Sequence, residues 1–435
     1  MADTGAKSDM RVLVIGGGGR EHALVQKLSE SPKVDAIWCF PGNAGIAQKA
    51  SIPNLASAEP NTLAEFASAK GINLTVVGPE DYLAAGIVDV FRARGLAIFG
   101  PTQKAAQIES SKVFAKELMK KYAIPTAAYE VFTDFPSAKA YIQHVGAPIV
   151  IKADGLAAGK GVVVAQDIDT ALTAAEATLS GDEVGEAGRR IVVEEYLSGQ
   201  EVSILAVCDG VSCIPLAPSQ DHKAIGEGDK GLNTGGMGAY SPVPVINQAV
   251  ERKIHDSILI PTLNALRQEG IQYTGVLYAG LMLTKDGPKV IEYNCRFGDP
   301  ETQVVLPRLR TDLVELLVAA NQGRLSSFGS LDWDPRASVC VIAASGGYPG
   351  AYTTGFPIDG LEAAVGALPD IYAFHAGTAL RDGRIVTAGG RVVGISALGD
   401  DIQEARDKVY QAMERLRFQG MYYRRDIAWR ALEKS

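Results

Sequence analysis

One stretch late in the chain, Lys289-Val-Ile-Glu-Tyr-Asn-Cys-Arg-Phe-Gly-Asp-Pro-Glu-Thr-Gln303, constrains the fold more than any other. Lys289 to Phe297 alternates as a β-strand does, so Glu292, Asn294 and Arg296 are expected to leave the same face. A carboxylate, an amide and a guanidinium in a row make a poor packing surface. They make a good surface for holding a hard cation against phosphate, with oxygen ligands for the metal and a planar cationic fork for the anion. Gly298-Asp299-Pro300 then ends the strand with turn chemistry. A solvated edge strand would carry the same pattern, and this segment by itself leaves both readings open.

The length of 435 residues predicts about three domains. Glycine is abundant, at 47 residues against an average usage of about 7%, so tight turns and close backbone approaches are expected. A formal charge of −8 argues against a nucleic-acid binder, whose footprint would be basic, so any anion must be held by a local site. The five cysteines are widely spaced and form no CxxC pair, which reads as reduced packing thiols of a cytoplasmic protein. No apolar run reaches the roughly 18 residues of a membrane span and no signal peptide is visible. Residues 1–9 are polar and are expected to be a disordered extension.

Along the chain, Arg11 to Ile15 reads as a buried strand, Gly16-Gly-Gly-Gly19 as a glycine turn, and Arg20 to Leu28 as a helix. That opening suits an anion at a helix N-terminus. It is not a dinucleotide fingerprint, because Glu21 stands where the third glycine of GxGxxG belongs and no acid follows the next strand, Ala36 to Phe40. Further strands at Leu74 to Val77 and Leu96 to Phe99 complete a small open parallel sheet with a site at its carboxyl edge. Ser110 and Ser111 can cap a helix from Lys112 to Lys121, whose first-turn lysine is either a surface accident or held for an anion.

Ala147 to Lys152 is a strand, followed by Ala153-Asp-Gly-Leu-Ala-Ala-Gly-Lys-Gly161 and a second strand, Val162 to Ala165. The loop resembles a P-loop but is followed by a strand, not a helix, and Gly161 replaces the magnesium-binding hydroxyl. It therefore reads as a glycine-rich hairpin flap over phosphate, with Gly155, Gly159, Lys160 and Gly161 in it and Lys152 converging from the strand. Arg190 to Leu205 is two strands with a short connector, where Glu195, Leu197 and Glu201 are spaced to meet an adenine edge and ribose hydroxyls. Ser219-Gln-Asp-His-Lys223 and the loop Asn233 to Ser241 are too polar and glycine-dense for a structural turn. Thr274 to Leu283 makes a hairpin with the metal-suited strand. After about residue 330 the pattern restarts with strands at Ala337 to Ala344 and Arg384 to Ile395 and a helix at Ile402 to Leu416, with no dense polar cluster.

The lysine-bearing strand with its glycine flap, the acid-bearing hinge, the polar glycine loop and the Glu-x-Asn-x-Arg strand occur in the order of the ATP-grasp arrangement. The fuller strings Gly16-Gly-Gly-Gly-Arg-Glu-His-Ala23, Pro41-Gly-Asn-Ala-Gly45, Val77-Gly-Pro-Glu80 and Cys295-Arg-Phe-Gly-Asp-Pro-Glu-Thr-Gln303, with the loops above, resemble the phosphoribosylamine–glycine ligases of purine biosynthesis. The resemblance runs from about Met10 to the C-terminus. It implies a multidomain α/β and α+β chain: an N-terminal open parallel α/β domain (10–108), a central ATP-grasp domain pair (109–329, flap 124–196) and a small C-terminal α+β capping domain (330–435).

The resemblance further implies that ATP phosphorylates glycine and that the amine of 5-phosphoribosylamine displaces the phosphate. ATP and Mg²⁺ (or Mn²⁺) are the implied cofactors. The expected partners are small molecules, with no nucleic acid and no membrane, and a monomer is the expected state. Residue by residue, it places Arg296, Lys152 and Asp221 at the chemistry. Lys112, Lys152, Gly155, Gly159, Lys160, Gly161, Glu194, Glu195, Leu197 and Glu201 would bind ATP, and Glu292 and Asn294 the metal. Gly17, Gly18, Gly19, Arg20, Glu21, Asn43, Glu80, Asp221, Lys223, Asn233, Gly235, Gly236, Arg296, Asp299, Pro300, Glu301 and Thr302 would line the glycine and ribosylamine pocket. Many ATP-grasp enzymes carry another metal-binding acid on the preceding strand, but Val276 to Thr284 has no carboxylate, which puts a second tightly held metal in doubt. The competing readings are a neighbouring purine ligase using formate or bicarbonate, an NAD-dependent dehydrogenase resting on the N-terminal glycines, and a non-catalytic ATP-binding module.

Overall fold

A computed structural model describes residues 10–156, 161–181 and 185–433. The extension at 1–9 and the flap residues Gly159 and Lys160 lie outside them.

Met10–Gly16, with every residue from Val12 to Gly16 buried, is a continuous apolar strand, as an interior position in a parallel sheet demands. It pairs in parallel with Val34–Pro41 on one side and Leu74–Val77 on the other, and Ile98–Phe99 closes the row. The Gly19–Ser29 helix starts directly from the glycine turn at the carboxyl end of the first strand. Two short helices, Gln103–Ser110 and Lys112–Lys121, lead out of this unit; Ser111 caps the second by accepting from Phe114 N–H at 3.1 Å.

A four-stranded antiparallel sheet follows, in the order Tyr129–Phe132, Ile191–Glu195, Ile149–Ala153, Val162–Ala165. The helices Phe135–Val145 and Ile168–Ser180 cover it, and together they hold a small core of their own around Ala138, Ile142, Ile151 and Val193. Val162–Ala165 pairs antiparallel with Ile149–Ala153, so the glycine-rich segment is the turn of a hairpin.

A second four-stranded sheet runs Cys213–Pro215, Gln200–Asp209, Thr274–Thr284, Gly287–Asn294. The metal-suited strand therefore stops at Asn294 rather than Phe297. A register shift on its partner makes Val290 face Leu281 and Glu292 face Gly280, so Ile291 is an extra, bulged residue. Beyond the bulge the alternation is as expected: Tyr293, Cys295 and Phe297 are buried, while Glu292, Asn294 and Arg296 are partly open.

The last sheet draws on distant parts of the chain. Its order is Gln220–Asp221, Gly238–Ser241, Ala337–Ala344, Arg391–Gly399, Ile371–His375. The polar segments around Asp221 and Gly236 are thus pinned to a frame supplied largely by the final hundred or so residues. Among the described residues no helix is long and apolar enough to cross a membrane.

Candidate active site

The bulge at Ile291 brings a lysine against the metal-suited strand. With Ile291 out of the ladder, its carbonyl accepts from Lys152 Nζ at 2.9 Å. Lys152 sits on the floor of the glycine hairpin, and the same ammonium pairs with Glu194 Oε2 at 3.0 Å. Lys116 meets that oxygen too, at 3.1 Å, and donates to Thr126 Oγ1 at 2.7 Å. Lys116 is buried, which lowers its pKa to about 8 even though Glu194 works in the opposite direction. Glu194 Oε1 is buried with no partner among the described residues. An acceptor left dry costs free energy unless a ligand donates to it. Lys112 Nζ donates to Gly155 O at 3.0 Å, tying helix to flap. Glu195 and Leu197 close the connector between the hinge strands, Glu195 exposed and Leu197 buried.

Across the sheet, Lys223 joins two acids that the sequence separates by 91 positions. Its ammonium bonds to Glu201 and lies 3.4 Å from Glu292 Oε1. Lys223, more than any other group, holds Glu292 ionised with a pKa near 2, with Lys152 and Lys112 assisting against its burial. Glu292 and Asn294 are two hard oxygen donors on one face, and Asn294 Oδ1 has only a 3.4 Å contact from Arg296. An ionised carboxylate beside an almost free amide oxygen fits a hard cation that completes its shell from phosphate and water. Among the described residues no cluster of three or more His, Cys, Asp or Glu could hold a metal alone. Gly280, opposite Glu292, leaves room for that side chain: a Cβ there would stand 3.1 Å from Glu292 Cγ.

Arg296 is held by two carboxylates, Glu80 from the N-terminal sheet at 2.9 Å and Glu109 at 3.1 Å. Burial opposes its charge, but Glu109 and Glu80 keep it firmly cationic. Glu109, whose Oε2 also accepts from Cys295 N–H at 2.7 Å, was not expected from sequence. A buried acid on an ordinary helix carries no local signal. Asp221 is buried, and its pKa rises to about 8 through burial, with Glu301, Glu201 and Glu292 adding to the effect against Lys223.

Several residues expected to contact substrate are occupied within the protein. Asn43 donates to Gly17 O and His375 O and accepts from the N–H groups of Gly45 and Ile46, which exhausts its amide. Glu21 is 1% exposed and takes Arg20 Nε and Gly18 N–H on its two oxygens, so it braces the glycine turn. Arg20 reaches on to Phe297 O at 3.1 Å. Gly19 packs on Gln303, Pro300 on Gly236, and Thr302 donates to Gly298 O, so these three set backbone shape rather than face a ligand. Gly17 and Gly18 stay partly open, as do Gly155 and Gly161; Asn233 and Gly235 are exposed.

The C-terminal part supplies two groups that sequence reading passed over. Arg391 donates to the carbonyls of Gly235 (2.6 Å) and Asp299 (2.8 Å) and pairs with Asp299 Oδ2 at 3.1 Å, while Tyr348 accepts from Gly235 N–H at 3.1 Å. An Arg at the start of one strand and a Tyr in the turn after another, in a region without a motif, give no sequence signal until the sheet brings them in.

Comparison with known proteins matches three successive parts of the chain. Family models of phosphoribosylglycinamide synthetase match as N domain at residues 10–109, ATP-grasp (A) domain at 110–302 and C domain at 338–430. A phosphoribosylamine–glycine ligase of Pseudomonas aeruginosa is 51% identical over 429 residues, 98% of this chain and 99% of that one. The crystal structure of the phosphoribosylamine–glycine ligase of Thermotoga maritima superposes with a TM-score of 0.85 at 34% identity, covering 96% of this chain and all of its own. The biotin carboxylase domain of a Hydrogenobacter thermophilus 2-oxoglutarate carboxylase, at TM-score 0.72 and 15% identity over 96% and 92% of the two chains, shares the fold alone.

Proposed function

Since the chain belongs to the phosphoribosylamine–glycine ligases, ATP-grasp enzymes of purine biosynthesis, we propose how its residues divide that reaction among themselves. One observation carries the proposal: Lys152, the floor of the glycine hairpin, is in hydrogen-bond contact with the bulged carbonyl beside Glu292. Nucleotide phosphates held by the hairpin would therefore lie over the Glu292 and Asn294 oxygens.

Lys112 and Lys152 neutralise the polyphosphate, and the glycine flap covers it. Adenine lies along the connector, with the Glu195 carbonyl and Leu197 N–H on its edge, and Glu194 Oε1 gains the donor it lacks. Glu201 accepts from the ribose once Lys223 yields it. Glu292 and Asn294 would hold Mg²⁺ or Mn²⁺, which would supply charge neutralisation for phosphoryl transfer. Glycine lies between Arg296, which faces its carboxylate, and the acids Asp221 and Glu301, which face its ammonium.

The glycine carboxylate oxygen takes the γ-phosphoryl group of ATP, giving glycyl phosphate and ADP. The ribosylamine nitrogen, bound from the side of Gly17, Gly18, Arg20 and Glu80, attacks that carbonyl. The C–O bond to phosphate breaks, and the amine proton passes to a nearby base. The enzyme's part is positioning and charge, so no covalent nucleophile is required. We place the enzyme in the cytoplasm as a monomer.

Release of ADP by the full chain, measured with and without glycine and phosphoribosylamine, tests this reading. Turnover is expected only with both, and size-exclusion of the active protein checks the monomer. Turnover with formate or bicarbonate in place of glycine would overturn the substrate assignment.

A further inference from the structure

The Thr274–Thr284 strand has no acid where many related folds carry one, yet the space is not empty of carboxylate. Tyr278 lies directly opposite Asn294 across the ladder, and Ser203 opposite Gly280, which itself faces Glu292. Residues paired in this way leave the same face of the sheet. Tyr278 donates its hydroxyl to Glu301 Oε1 at 2.5 Å. Its only proton is thereby committed, so Ser203, 2.8 Å away, donates to the phenol oxygen as its nearer acceptor, with Glu301 Oε1 itself at 3.5 Å. Ser203 and Tyr278 are both buried, and Glu301 is 3% exposed. A carboxylate thus reaches this face from the turn after Asp299 and is oriented through a phenol.

Ser203 also fixes the second acid. Its backbone N–H and C=O bond to Ser219 at 2.8 and 3.1 Å, two residues before Asp221. One strand position therefore sets Asp221 through the backbone and Glu301 through the Tyr278 hydroxyl. Among the described residues no hydrogen bond reaches Glu301 Oε2 or the Asp221 carboxylate. Two carboxylates with free oxygens, held close enough for each to feel the other, suit a compact cation bearing several N–H donors.

We propose that Tyr278, braced by Ser203, is a positioning residue that aims Glu301 at the ammonium group of the amino-acid substrate. The proposal rests on the reading that glycine lies between Asp221 and Glu301. It adds that recognition of the amine runs through a phenol on the neighbouring strand.

The test is steady-state ADP release by the full chain, with glycine and ATP varied separately, for wild type, Tyr278→Phe, Glu301→Gln and the double variant. Tyr278→Phe is expected to raise the glycine KM about tenfold, the worth of one hydrogen bond to a charged group, while the ATP KM stays within about twofold. Because the phenol acts through Glu301, the double variant should resemble Glu301→Gln alone rather than combine the two losses. Ser203→Ala, which removes the donor to the phenol and its long 3.5 Å contact with Glu301, is expected to raise the glycine KM about threefold and serves if Tyr278→Phe fails to fold. A glycine KM unchanged in these variants overturns the proposal, as do equal rises for glycine and ATP, or penalties that add in the double variant. Wild-type chain with no glycine-dependent ADP release would overturn the parent reading as well, so the two failures are distinguishable.

Discussion

Glu292 carries its charge because lysines surround it, and that makes it the most informative single position. Replacing it with alanine removes the charged ligand of the proposed metal site and leaves the Lys223 ammonium paired with Glu201 alone. Turnover should fall by at least about a hundredfold, measured as ADP release at saturating Mg²⁺, because even outer-shell partners of a metal are worth about 10–100-fold. Near-full activity would sink the metal assignment. At this scale the sequence was a good guide to chemistry and a poor guide to which atoms are free. The Glu-x-Asn-x-Arg face was legible because polar residues recur at period two. Asn43 and Glu21 sit in equally suggestive motifs, but their bonds run to backbone groups and to Arg20. No local pattern distinguishes an amide that binds a ligand from one that binds its own loop.

In the proposed nucleotide site the hinge element depends on Lys116, which shares buried Glu194 with Lys152 and would stay on it when Lys152 turns to phosphate. Lys116→Met should leave Glu194 with no counter-ion whenever ATP is bound. The ATP KM is expected to rise about tenfold while the glycine KM stays nearly constant, which initial rates on each substrate can check. Equal rises would argue against the hinge role. Strand and helix positions were largely readable: Lys112–Lys121 and Val162–Ala165 fall where capping serines and β-branched runs place them. The bulge at Ile291 was not readable, because an extra residue in a ladder depends on the partner strand's register and not on its own side chain. Lys116 escaped for a related reason. Its helix has lysines at 112, 116, 120 and 121, and only packing separates buried Lys116 from Lys120 and Lys121, which face solvent.

At the scale of the molecule, the C-terminal part is bound to the first by two histidines. His375 N–H donates to His22 Nδ1 at 2.8 Å, and burial pushes the imidazole pKa values down to about 3 for His22 and about 4 for His375. Above pH 6.5 neither the folded nor the unfolded chain binds a proton there. As pH falls from 6.5 towards 4 the unfolded chain takes protons that the folded chain refuses, so stability declines by about 1.4 kcal/mol per pH unit for each histidine. His22→Asn keeps an acceptor for His375 N–H and removes one titration. Urea unfolding at pH 7 and pH 5 should show the variant losing about 2 kcal/mol less than wild type over that interval. Arg391→Met should do the opposite kind of damage, at all pH values. It strands Asp299 with a buried charge and frees two loop carbonyls, and about 3 kcal/mol of stability should be lost in the same assay. The pairing of Gln220–Asp221 and Gly238–Ser241 with strands from beyond residue 330 was outside the reach of sequence reasoning, since register between segments a hundred positions apart leaves no local trace. It has a consequence in time. His222 Nε2 accepts from Ala428 N–H at 3.0 Å, so the segment bearing Asp221 is seated on backbone that lies 206 positions further along the chain. A nascent chain can pair its hinge strands long before it can fix the Asp221 segment, because the partners of that segment are made later.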